Sequence, residues 1–253
     1  MSAFWAMSRY GRLLWFFFPI MGMMIVGSYS ALFAKSFGSN YYGKIIVIDP
    51  GHGGHDIGVR GIDSTQEKMI ALSFSQILAA ELQDSYQVLL TRDADYWMDL
   101  YSRTAVANQA AADIFISIHT SGGFLKQLRG MSLFYFKELS QLESKLTVQQ
   151  PLTAETEEAF QPWDSLQNTH QAASKRLTRS IERRLRHDGK HRIHTTEGAP
   201  ILVLRGAAMP AVLVEVGYLT NPLDEKRLLD KNVLKDLASR IGKGIDDFFE
   251  KNQ

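Results

Sequence analysis

Apolar residues fall along this chain in two alternating rhythms. Short runs rich in β-branched and aromatic residues, at 44–49 (KIIVID), 87–91 (QVLLT), 113–118 (DIFISI), 131–136 (MSLFYF), 200–204 (PILVL) and 211–216 (AVLVEV), predict strands. Between them, residues 66–84, 100–111, 165–187 and 232–250 space their apolar positions as helices do. Strand and helix in this order predict a single α/β domain over 44–251. Its central sheet is largely parallel and covered by helices on both faces. No internal repeat is visible.

Two stretches break the rhythm. Residues 13–34 (LLWFFFPIMGMMIVGSYSALFA) carry no charge over 22 positions and follow Arg9 and Arg12. That length spans a bilayer core of ~30 Å and exceeds the usual apolar core of a signal peptide. Ser28-Tyr29-Ser30 nevertheless offers small residues at signal-peptidase spacing, so a cleaved signal and an uncleaved anchor both stay open. Either reading leaves residues 1–12 in the cytoplasm and exports the domain. Residues 35–43 form a tether reaching about 30 Å when extended. The second interruption is a polar insert at 137–164, with Glu138, Glu143, Glu155, Glu157 and Glu158 among its acids. It is either a solvated excursion or a functional lid.

Composition narrows the chemistry. A formal net charge of +1 lacks the basic excess of a nucleic-acid binder, and the absence of cysteine removes disulfides and thiol catalysis. Ligands of open α/β sheets bind beyond the carboxyl ends of the strands. Three predicted strands finish there on reactive residues: the first runs into His52 (IDPGHGGH), the third into His119 (FISIHTS), and the last holds Glu215 (VLVEVGY). Glu67, opening the first helix, can fold back over the same edge. Two imidazoles and a carboxylate are the ligand set of a catalytic zinc with one open position. A fourth group, Glu215 with its apolar flanks, fits a proton-transferring base of raised pKa. His55 reads as a loop residue beside the site. His170, His187, His191 and His194 read as solvent-exposed, and TRDAD (91–95) as a loop-positioning element in which Arg92 pairs with Asp93 or a neighbour.

The blocks IDPGHGG, Glu67-Lys68, TRDAD, ADIFISIH (112–119) and MPAVLVEVGYLTNP (209–222) occur in the order found in the zinc-dependent N-acetylmuramoyl-L-alanine amidases of the type-3 family. The chain resembles that family over roughly residues 44–250. The resemblance implies a six-stranded mixed sheet, a Zn2+ held by His52, Glu67 and His119, and Glu215 as catalytic base and acid. It implies peptidoglycan, or its lipid-linked precursor, as substrate. Two departures stand out. Where the family places a small residue and Asn after the second histidine, this chain has Thr120-Ser121-Gly122-Gly123. The hydroxyls of Thr120 and Ser121 are therefore candidate substrate contacts, as is Arg205 after LVL. The insert 137–164 also falls where some relatives carry an autoinhibitory helix lifted by an activator protein, which makes Glu155, Glu157 and Glu158 candidate regulatory residues.

The alternatives are a zinc peptidase acting on the stem peptide and a catalytically inactive wall-binding protein. The peptidase signature H-E-x-x-H is absent, and so is S-x-x-K. An inactive binder would not need all four site residues. A nucleotide-binding role is poorly supported, because GHGGHDIG lacks the third glycine of G-x-G-x-x-G at the required spacing.

Overall fold

The computed structural model describes residues 43–138, 166–187 and 189–251. The amino-terminal segment 1–34, the tether up to residue 42, and the insert from 139 onward, with Glu155, Glu157 and Glu158, lie outside the described residues. Among the described residues no helix is long and apolar enough to cross a membrane.

Six strands, β1 (Ile45–Pro50), β2 (Gln87–Leu90), β3 (Ile114–Ser121), β4 (Met131–Phe136), β5 (Ile193–Ala199) and β6 (Ala211–Tyr218), form one sheet in the order β2-β1-β3-β6-β4-β5. Neighbours run parallel except β4 and β6, so the sheet is mixed, as expected. The helices are α1 (Glu67–Leu82), α2 (Leu100–Gln109), α3 (Leu166–Arg186), α4 (Leu202–Arg205), α5 (Pro222–Leu228) and α6 (Lys231–Glu250).

Period-two alternation sorts the strand residues between two cores. Ile46, Ile48, Ile114, Ile116, Val212 and Val214 pack in one cluster with Phe74, Leu78, Leu177, Ile181, Ile241 and Ile245 of α1, α3 and α6. Val47, Phe115 and Leu213 face the other way, into a smaller cluster with Ala107 of α2 and Val203 and Leu204 of α4. The same parity sends Asp49, Ser117, His119 and Glu215 toward the α2–α4 face. That face is thinner, and polar side chains reach the sheet edge there without crossing a thick apolar layer.

One strand expectation fails. The apolar run 200–204 is not a strand: residues 202–205 are the short helix α4, with Leu202 exposed and Val203 and Leu204 buried. The fifth strand is instead IHTTEGA, which pairs with β4 alone. An edge strand has a partner on one side only and needs no continuous apolar run. A short apolar run bounded by Pro200 is ambiguous between strand and helix on pattern alone. Helix α5 also went unread, although Asn221 accepts from the backbone of Leu223 and Asp224 just before Pro222 in the first turn.

Candidate metal centre

The turn after β1 brings the first histidine to the sheet edge. Gly51 passes so close to the ring of His119 that an added Cβ would stand 2.4 Å from it, which only glycine permits. His52 then takes a left-handed backbone with φ 59°, a conformation that costs a non-glycine residue about 1–3 kcal/mol. Two buried guanidiniums hold the turn in place. Arg103 of α2 donates to the carbonyls of Pro50 (2.7 Å) and His52 (2.8 Å) and to the carboxylate of Asp49 (2.9 Å). Arg92 donates to the carbonyls of Pro50 (2.9 Å), Gly51 (2.7 Å) and Lys68 (2.9 Å). Asp49 in turn accepts from Thr91 (2.6 Å) and Ser117 (2.8 Å), so its buried charge is fully bonded. The second histidine and Glu215 arrive by register, since His119 of β3 pairs with Glu215 of β6.

His52, Glu67 and His119 converge, each offering one donor atom within 4.8 Å of the others. His119 Nδ1 lies 3.0 Å and His52 Nε2 3.2 Å from the two oxygens of Glu67. Glu67 is 2% exposed, and its oxygens also accept from the backbone N–H groups of Val59 and Thr120, both at 2.8 Å. Burial alone would push its carboxyl up, but the bonds from His119 and His52 outweigh that and hold it well below the usual carboxylate range. Burial likewise pulls His52 down, yet Glu67 and Asp56 raise it on balance. The far nitrogen of His52, Nδ1, lies 2.8 Å from the Asp56 carboxylate. That arrangement fixes the ring and leaves Nε2 turned toward the cluster, as a carboxylate does behind a metal-bound histidine. Two imidazoles and one buried anionic carboxylate, preoriented by outer hydrogen bonds, suit a divalent cation of the zinc kind.

Glu215 is built differently. Its neighbours along the strand are apolar, and burial pushes its carboxyl above the usual range against the pull of the Ser121 hydroxyl, which donates to Oε2, and of Ser132. It therefore stands beside the three donors as a carboxylate poised to take a proton.

Each remaining site candidate has a definite place. Thr120 and Ser121 are both buried, the first steadying Glu67 through its backbone N–H and the second bonded to Glu215. Arg205 ends α4, two residues beyond Val203, which lines a cavity with His52 and His119. His55 stacks on Trp97 with ring centroids 5.3 Å apart and stays outside the donor cluster. His187 and His194 are exposed and His170 is half-buried, but His191 is buried, 2.6 Å from Asp236. Arg92 does position the loop, through carbonyls and not through Asp93. Asp56, Asp49 and Arg103 escaped sequence reasoning. Asp56 carried a signal, a carboxylate four residues after a histidine in a glycine turn. Arg103 had none, because its acceptors Asp49, Pro50 and His52 lie 51–54 residues away in the chain.

Comparison with known proteins points to one family. A family model described as N-acetylmuramoyl-L-alanine amidase matches residues 46–247. The amidase AmiA of Salmonella typhimurium is 31% identical over 221 residues, covering 81% of this chain and 76% of the relative. The solved amidase of Clostridium difficile 630 superposes with a TM-score of 0.68 at 26% identity, over 85% of this chain and 100% of that one. AmiC2 of Nostoc punctiforme gives a TM-score of 0.63 at 28% identity, over 82% and 97%. The fold, the converging donors and the matched sequence agree, and the chain belongs to the N-acetylmuramoyl-L-alanine amidase family.

Proposed function

We propose that this chain hydrolyses the amide between the lactyl carbonyl of N-acetylmuramic acid and the L-alanine nitrogen of the peptidoglycan stem peptide, with a zinc ion held by His52, Glu67 and His119. The observation that carries the reading is the pairing of His119 with Glu215 across adjacent strands. It supports the reading by bringing a second buried carboxylate next to the donor cluster. A zinc ion bound there would supply Lewis-acid polarisation of the amide carbonyl and lower the pKa of a water. Glu67 and the two imidazoles fix where that chemistry occurs, and Asp56 keeps His52 in the tautomer that offers Nε2. Glu215 takes the proton from water as the new C–O bond forms. As the C–N bond breaks, it gives that proton to the departing alanine nitrogen. The raised pKa of Glu215 suits the first duty, because burial makes it a stronger base than an ordinary carboxylate.

The uncharged stretch 13–34 behind Arg9 and Arg12 supports export of the catalytic domain to the cell envelope, where this substrate lies.

Mass analysis of a defined N-acetylmuramoyl-tripeptide after incubation tests the reading. Free tripeptide beginning at L-alanine, together with intact sugar, is expected from the wild type and not from Glu215→Gln. A shortened peptide still joined to the sugar would make the enzyme a peptidase instead.

A further inference from the structure

The mechanism leaves one feature of this edge unused. A cavity of about 460 Å³ opens beside the donor cluster, with His52 and His119 in its wall. That volume falls within the ~300–1,000 Å³ of small-molecule sites. Its apolar lining comes from Trp97, Leu100, Tyr101 and Val203, of which Trp97 is 51% and Tyr101 73% exposed. Large aromatic side chains left this open on the wall of a cavity are surface available to a ligand. The ionisable groups beside them are committed elsewhere. Asp56 pairs with His52, Asp99 caps α2 through Ser102, and Arg103 spends its donors on Asp49 and backbone carbonyls.

The opposite end of the same edge has another character. The loop 122–130 leaves β3 immediately after Ser121, and Asn221, just past β6, donates to its Lys126 carbonyl at 2.6 Å. That loop presents exposed Lys126 and Arg129. Exposed Arg192 adjoins it, its carbonyl accepting from Met131, and exposed His194 sets its ring edge-on to Tyr218. Most of the cavity's lining follows β1 and β2, His119 of β3 and Val203 of α4 excepted, whereas the cationic loop adjoins the start of β4 and β5.

On the reading that the scissile amide sits at the donor cluster, its two sides must leave in opposite directions along this edge. One side is a neutral acetylated pyranose and the other a peptide with free carboxylates. We propose that the Trp97–Tyr101 cavity is the subsite for the N-acetylmuramic acid ring and that the stem peptide leaves over the Lys126–Arg129 loop. The C–H groups of a pyranose face carry partial positive charge and pack on the negative face of an aromatic ring. A carboxylate-bearing peptide would meet two acids and no uncommitted cation in the cavity, whereas the far loop offers it lysine and arginine.

The test is calorimetric titration of the zinc-loaded full chain with the methyl amide of N-acetylmuramic acid, neutral as the sugar side of the substrate is, and, separately, with the free stem tripeptide. Trp97→Ala and Tyr101→Ala are each expected to raise the Kd for the sugar about tenfold, the upper end of what one aromatic contact supplies. The tripeptide Kd stays unchanged, Trp97→Phe retains most of the sugar affinity, and thermal midpoints fall by no more than about 2–4 °C, the scale of losing the His55 stack on Trp97. Sugar affinity unchanged in both alanine variants, or no sugar binding by the wild type, would overturn the assignment. So would loss of tripeptide affinity in place of sugar affinity, which would put the peptide in the cavity. Hydrolysis of N-acetylmuramoyl-tripeptide by the same wild-type sample is read independently. Sugar binding without release of peptide would therefore fail the amidase reading alone.

Discussion

Glu67 and Glu215 occupy one sheet edge, both largely buried, and their surroundings drive them in opposite directions. Glu67 receives two backbone N–H bonds and faces two imidazoles, which hold it anionic far below the usual range. Glu215 has apolar residues along its strand and the hydroxyls of Ser121 and Ser132 at its carboxylate, and burial outweighs them and raises it. Identical side chains are thus suited to different parts in the proposed reaction, one to holding a cation and the other to carrying a proton, because hydrogen bonding to the charged form wins at the first and desolvation wins at the second. The distinction extends outward. The corner around Glu67 is a polar lattice of Asp49, Arg92, Arg103 and Asp56, while the strands around Glu215 are a hydrophobic sheet interior.

This contrast yields predictions of decreasing size. Glu215→Gln keeps the shape and removes the base, so kcat on N-acetylmuramoyl-tripeptide should fall by about 10²–10⁴-fold. Zinc content, measured by atomic absorption, should stay at the wild-type level. Arg103→Ala breaks the other region by leaving Asp49 buried without its partner, and denaturant unfolding should show a loss of about 3–5 kcal/mol. Asp56→Asn should leave the fold intact and weaken zinc binding by about 10–100-fold, measured by competition with a chelating dye. The smallest effect belongs to Ser121→Ala, which removes a hydroxyl that favours the Glu215 carboxylate. The carboxyl then rises further. Because the base works only when ionised, the acid limb of the kcat/KM profile should move to higher pH, whereas an unmoved limb would detach Glu215 from that profile.

The same contrast explains what the sequence displayed. His119 and Glu215 were legible because each sits in or at the end of an apolar strand, where a polar residue interrupts a period-two pattern. His52 and Glu67 were legible through the glycine turn and the start of the first amphipathic helix. The lattice behind them was not, because Arg103 and Asp49 meet across 54 residues of chain and neither breaks a local pattern. Strand β5 was hidden for a related reason: an edge strand of Thr, His and Glu carries no apolar run, and the nearby PILVL run drew the assignment to what is helix α4. No local pattern marks Trp97 and Tyr101; the fold alone brings them to the wall of a cavity with both histidines.

The division of labour between the two glutamates is tested most directly by titrating Glu215→Gln and the wild type with zinc, side by side in the calorimeter. The account predicts one zinc per chain in both, with the same affinity, and turnover in the wild type alone. A variant that no longer binds zinc would make Glu215 a ligand and contradict the assignment of its proton-carrying role.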